Sequence, residues 1–175
     1  MPLKEFDYAF KLVLLGDGAV GKTSLVRRYV DSSFKKEYLM TIGMEPKTKF
    51  ADIYDKKICF QIFDIAGQKS FKTLREMFYR GTRGAIITFD LTNYESYSNV
   101  EMWINELRKN VKNPELVLVG NKNDLESDRE ISKNEGDLLA QNLNCKLYVE
   151  TSALTGDNVE EVFVTLGKSI LDSIK

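Results

Sequence analysis

The chain has 175 residues, which suits one domain with one core and leaves little room for a second. Its 43% hydrophobic and 29% charged residues argue against disorder, and a net charge of -1 argues against a general nucleic-acid binder, which needs a basic face to release counterions. The absence of histidine excludes a histidine base, metal ligand or pH switch, so any metal should be a hard cation held by oxygen.

Residues 1–9 read as an N-terminal extension, and Met1 to Phe10 carries Leu3, Phe6 and Phe10 at mixed spacing, too few apolar residues for membrane insertion. Lys11 to Leu15 is predicted as a buried strand and Lys22 to Val30 as the helix after it. Between them Gly16-Asp17-Gly18-Ala19-Val20-Gly21-Lys22-Thr23 fits the pattern G-x-x-x-x-G-K-S/T. Glycines there let the backbone curl so that several N–H groups point at phosphate oxygens, and the helix N-terminus adds a favourable dipole. Lys22 then places a point charge on the β- and γ-phosphates, and the Thr23 hydroxyl ligates magnesium. The bland alternative is a glycine-rich turn from strand to helix with an exposed lysine.

Lys47 to Tyr54 and Lys57 to Ile65 read as two antiparallel strands closed by a tight turn at Asp55-Lys56. Gly84 to Asp90 is a further buried strand, followed by a helix over Ser96 to Lys109. Leu116 to Asn121 is another strand. A helix over Ser132 to Asn142 opens with Ser132 and Glu135 at capping-box spacing. Cys145 to Val149 is the last, shorter strand. The final helix, Asn158 to Ile174, opens with Asn158 and Glu161 and should bury Val159, Val162, Phe163, Leu166 and Ile170 on one face. Cys59 and Cys145 are expected to be reduced and buried rather than redox-active. No apolar run approaches the roughly 18 residues of a membrane span. Pro2 argues against N-myristoylation, and Asp172 to Lys175 contain no cysteine for prenylation, so no lipid anchor is expected in this chain.

Alternating strands and helices predict an α/β fold with a mostly parallel sheet and helices on both faces. Ligands bind such sheets beyond the carboxyl ends of the strands, where each motif falls. Asn121-Lys122-Asn123-Asp124 follows one such end. An aspartate carboxylate accepts two hydrogen bonds from the ring N–H and exocyclic amine of guanine. Adenine lacks that donor pair, and a site built on such bonds discriminates by roughly 10⁴-fold or more. The same four residues also suit a polar loop leaving a strand.

Taken together with Thr41-Ile42-Gly43, Asp64-Ile65-Ala66-Gly67-Gln68, Tyr79-Arg80-Gly81 and Glu150-Thr151-Ser152-Ala153, these motifs resemble in order those of the Ras-like small GTPases, most closely the Rab branch. The likeness covers nearly the whole chain. It implies the P-loop NTPase fold, a three-layer α/β/α sandwich on a mostly parallel six-stranded sheet with one antiparallel hairpin strand. It also implies a single small GTPase domain over 1–175 that binds GTP or GDP with magnesium, hydrolyses GTP slowly and switches conformation to control partner binding, in membrane traffic or signalling. The alternative is a nucleotide-binding scaffold with negligible hydrolysis.

By the resemblance, Gly18, Ala19, Val20, Gly21, Lys22, Thr23 and Ser24 hold the phosphates. Asp124 binds guanine, Asn121 ties the base loop to the phosphate loop, and Lys122 lays its stem along base and sugar. The Ala153 N–H should meet the guanine carbonyl, with Ser152 supporting that loop and Leu154 beside it. Phe34 matches an aromatic packed edge-on to the base, or alternatively a core residue closing the first helix. Thr23 and Thr41 ligate Mg2+ and Asp64 reaches it through water. Thr41 and the Gly67 N–H engage only a γ-phosphate, which supplies the differential contact a switch requires. Gln68 orients the attacking water, with Lys22 and Thr41 completing the catalytic set. No arginine finger is expected in cis; Arg27, Arg28, Arg75 and Arg80 read as surface charges, and an activating protein should supply the missing charge.

The implied partners are an exchange factor, a GTPase-activating protein and effectors, bound through residues 35–46 and 66–80. A monomer is expected, cytoplasmic, with membrane association through partners or a tail outside this chain. The departures lie on the partner faces. Pro46 and Phe63 stand where Rab proteins carry phenylalanine and tryptophan, and Lys69 stands where glutamate is usual.

Overall fold

A computed structural model describes residues 5–35 and 40–175. Residues 1–4 of the expected extension and 36–39 of the expected partner segment lie outside the described residues. The sheet has the strand order β2-β3-β1-β4-β5-β6. Its strands are β1 (Tyr8–Leu15), β2 (Met44–Ile53), β3 (Lys56–Ile65), β4 (Thr82–Asp90), β5 (Glu115–Asn121) and β6 (Leu147–Thr151). β2 runs antiparallel to β3 and every other pair is parallel. This is the expected fold class.

The helices are α1 (Lys22–Asp31), α2 (Lys72–Phe78), α3 (Tyr94–Ser98), α4 (Val100–Asn110), α5 (Lys133–Asn142) and α6 (Val159–Ser173). Side chains alternate across each central strand, and both faces are covered. Leu12 and Leu14 join a core with Leu25 and Val26 of α1 and Phe163 and Leu166 of α6. Val13 and Leu15 join the opposite core with Trp103, Ile104 and Leu107 of α4 and Ala140 of α5. Strand order reverses at β1, so the loop leaving its carboxyl end opens into a crevice at the switch point of the sheet.

Several boundaries differ from the sequence reading, each for a tertiary reason. β1 begins at Tyr8, inside the segment read as an extension, because Tyr8 already pairs with Ile58. The hairpin turn is Tyr54-Asp55, not Asp55-Lys56. Lys56 pairs with Ile53, and Tyr54 and Asp55 take φ of 49° and 62°, a two-residue connection whose twist matches the strands. Ser96 to Lys109 divides into α3 and α4 at Asn99, whose side chain turns away to bond Asp17. β6 starts at Leu147 rather than Cys145, because the Cys145 N–H closes the end of α5 on the Ala140 carbonyl. Asn158 does not cap α6: it takes φ 55° and its amide donates to the Glu150 carbonyl at 2.9 Å. Ser132 and Glu135 do form the capping box of α5. Neither cysteine is in a disulfide; Cys59 is buried and Cys145 half-buried.

Candidate functional site

The loop between β1 and α1 is shaped by what its neighbours leave room for. Gly21 takes φ 101°, and a Cβ there would sit 2.2 Å from the Asn121 amide nitrogen. Gly67, arriving from β3, lies so close that its Cβ would meet the Gly16 carbonyl oxygen at 2.4 Å. Only glycine permits these approaches, and they bring two other segments onto one loop. Lys22 is buried, and its ammonium donates to the Gly16 and Asp17 carbonyls at 2.8 and 2.7 Å. Burial pushes it down to about 8, against the pull of the Asp64 and Asp17 carboxylates. A buried cation at a helix N-terminus makes this loop a place for an anion.

Beside it, oxygens converge. The Thr23 hydroxyl lies 2.7 Å from the Thr41 hydroxyl and donates to Asp64 Oδ2, which Thr41 also approaches at 3.5 Å. Asp64 is buried, and burial raises its carboxyl above its usual range despite the Thr23 hydrogen bond and the Lys22 charge. Its Oδ1 is buried without a partner. An all-oxygen set with an orphaned carboxylate oxygen fits a hard cation such as magnesium, which uses few protein ligands and keeps several waters. Among the described residues no group of three or more His, Cys, Asp or Glu is placed to hold a metal ion, so a cation here would rely on the threonine hydroxyls and on oxygens from outside the chain.

The far end of the crevice is assembled around Asn121. Its amide nitrogen donates to the Val20 carbonyl at 3.0 Å. Its Oδ1 accepts from the Thr151 hydroxyl at 3.0 Å and the Ala153 N–H at 3.3 Å. One side chain thus joins the loops after β1, β5 and β6. Lys122, at φ 70°, donates to the Ala19 carbonyl at 3.0 Å and pairs with Asp90 at 2.6 Å, which lays its stem along the wall. Ser152 donates to Asp124 Oδ1 at 2.7 Å and orients that carboxylate, and Asp124 is otherwise exposed. Arg28 donates to the Ala153 and Leu154 carbonyls at 2.8 and 2.6 Å.

The resulting cleft, about 240 Å³, is walled by Gly18, Ala19, Gly21, Lys22, Thr23 and Ser24, by Thr41, Gly67 and Gln68, and by Asn121, Lys122, Asp124, Ala153 and Leu154. Phe34 lines the cleft and also packs against the core beneath α1 and α6. Val20, Ser152 and Asp64 stand behind the wall as buried supports. The Ala153 N–H points at Asn121 rather than into open space. Sequence reasoning missed Arg27, Lys35 and Leu125, which also line the cleft. Leu125 adjoins the Asn121–Asp124 motif, which was the available signal.

The largest correction concerns Arg75, read as a surface charge. It is 2% exposed, because its guanidinium forks onto Glu106 of α4 at 2.8 and 3.0 Å. Nothing in the spacing of α2 announced a buried arginine, and α2 itself was not among the predicted elements.

A Ras family model matches residues 11–172 of the chain. The chain is 39% identical to Ras-related protein Rab-13 of Bos taurus over 169 residues, 96% of this chain and 83% of that protein. It is 38% identical to Ras-related protein Rab-8B of Homo sapiens over 98% of this chain and 83% of the relative. To Ras-related protein RABD2b of Arabidopsis thaliana it is 42% identical over 95% and 82% respectively. A six-stranded sheet with one antiparallel strand, a cleft at its carboxyl edge and this near-full-length similarity agree: the chain belongs to the Ras family, on its Rab branch, and is a small GTPase that acts as a GTP-hydrolysing switch.

Proposed function

We propose that this cleft holds GTP or GDP with its phosphates on Gly16–Thr23 and its guanine between Lys122, Asp124 and Ala153, and that the chain acts as a single domain and a single copy. The observation that carries the reading is that one cleft is walled by residues of every motif segment except Tyr79-Arg80-Gly81, with three of its loops joined by Asn121. Lys22 would meet the β- and γ-phosphates, and Thr23, Thr41 and, through water, Asp64 with its unpaired Oδ1 would hold magnesium. A magnesium ion held there would supply neutralisation of the phosphate charge. Gln68 lines the cleft with its Oε1 buried and unpaired, an acceptor suited to orienting the attacking water. Partners read the switch through 35–46 and 66–80, where Met40, Ile42 and Met77 are exposed. The switch serves membrane traffic, and a membrane is reached through partners or a lipidated tail; no helix among the described residues is long and apolar enough to cross one.

The base assignment is tested at Asp124. Asp124→Asn exchanges a double acceptor for an amide, which suits the carbonyl of xanthine. We expect GTP affinity to fall by about 10²-fold or more and XTP affinity to rise. Equal GTP binding by both proteins in a competition assay would refute the pocket.

A further inference from the structure

Behind the wall of the cleft lies a polar cluster that the nucleotide reading does not use. Glu106 of α4 is buried, and its carboxylate takes the Arg75 fork at 2.8 and 3.0 Å and the Tyr79 hydroxyl at 2.5 Å. The remaining Arg75 nitrogen, Nη1, donates to the main-chain carbonyl of Gln68 at 2.6 Å and more weakly to that of Ala66 at 3.5 Å. The guanidinium also lies 4.6 Å from the Trp103 ring centroid. Trp103 in turn donates its indole N–H to Asp17 Oδ1 at 2.7 Å, and Asn99 donates to Asp17 Oδ2 at 2.7 Å. One helix face therefore holds the phosphate loop at Asp17 and the Gln68 backbone at Arg75.

We propose that Arg75 is a positioning residue for GTP hydrolysis: clamped by Glu106, it fixes the Gln68 carbonyl and so aims the Gln68 side chain at the attacking water. This rests on the reading that Gln68 orients that water. The Gln68 side-chain oxygen has no protein partner, so its aim is set from the main chain outward. The side chains of Arg75 and Glu106 are only 3% and 7% exposed, so solvent cannot substitute for the missing bonds if the clamp is altered. A lysine at position 75 keeps the charge but cannot serve two carboxylate oxygens and a carbonyl in one plane. Misplacing a catalytic group by about an ångström costs up to about 10²-fold in rate.

The test is single-turnover hydrolysis of bound GTP by wild type, Arg75→Lys, Gln68→Leu and the double variant, with GDP release measured on each. We expect Arg75→Lys to slow hydrolysis by about ten- to a hundredfold with GDP release unchanged. On the Gln68→Leu background it should slow nothing further, because both changes remove the same function. Normal hydrolysis by Arg75→Lys beside a slow Gln68→Leu overturns the proposal alone. An equal loss on both backgrounds also overturns it and leaves the pair purely structural. Normal hydrolysis by Gln68→Leu removes Gln68 from the mechanism and this proposal with it. If Arg75→Lys does not fold, Tyr79→Phe keeps the buried ring and removes one donor to Glu106. It should slow hydrolysis less, again only when Gln68 is present, and a wild-type rate in that variant overturns the clamp.

Discussion

Asn121 sets the distance between the two ends of the cleft, and its residue type was legible while its consequence was not. N-K-x-D reads as a base motif, but that the amide bonds Val20 on one side and Thr151 and Ala153 on the other depends on three loops meeting. Asn121→Ala leaves the Val20 carbonyl and the Thr151 hydroxyl unpaired. We expect a loss of about 1–3 kcal/mol in urea unfolding and faster GDP release. Glu106 carries a pH signature. Burial alone would raise its carboxyl, but hydrogen bonds from Arg75 and Tyr79 and the guanidinium charge hold it below its ordinary value of 4.5. The folded state therefore binds this proton less readily than the unfolded chain. Its stabilisation is present above pH 4.5 and is lost as pH falls through the lower native value. Glu106→Gln should be less stable at neutral pH and should lose less on acidification, as read by denaturant midpoints across the acid range.

Among the elements, local signals held where partners are local and failed where a distant group intervened. Ser132 and Glu135 sit three positions apart and bond each other, so the capping box of α5 was readable from spacing. Asn158 and Glu161 have the same spacing, yet Asn158 is held in the left-handed region at φ 55°, with its amide nitrogen donating to the Glu150 carbonyl, and its side chain makes no cap bond. Ser132→Ala should cost about 1 kcal/mol of stability in thermal unfolding and leave GDP release unchanged, since α5 supplies no residue to the cleft. Pro46 is tolerated because β2 is the edge of the sheet and pairs on one side only. Helix α2 was missed because its buried residue is a charged arginine, which interrupts the apolar period that marks a helix.

For the whole molecule, the sheet separates two cores while its carboxyl edge gathers the loops. A ligand that joins those loops favours the folded state by mass action, by about 2.7 kcal/mol at a hundredfold excess over the dissociation constant. We expect GDP with magnesium to raise the thermal midpoint by a corresponding amount. Chelating the metal should lower it again and speed GDP release, because the proposed site at Thr23 and Asp64 then loses the cation that would offset the phosphate charge. An unchanged midpoint on chelation would remove these residues from a metal site.

What the amino-acid sequence determined by itself was the fold class, the family resemblance and most of the segments that wall the cleft. Gly16–Thr23 and Asn121–Asp124 are contiguous runs, so their residue types and spacing are legible in their order. Tertiary structure alone decided which charges are buried and what stands behind the wall. Arg75 reaches Glu106 across 31 positions and Trp103 reaches Asp17 across 86. Whether an arginine is a solvated surface group or a buried clamp depends on the neighbours that exclude water from it, and those neighbours are assembled only by the closed fold.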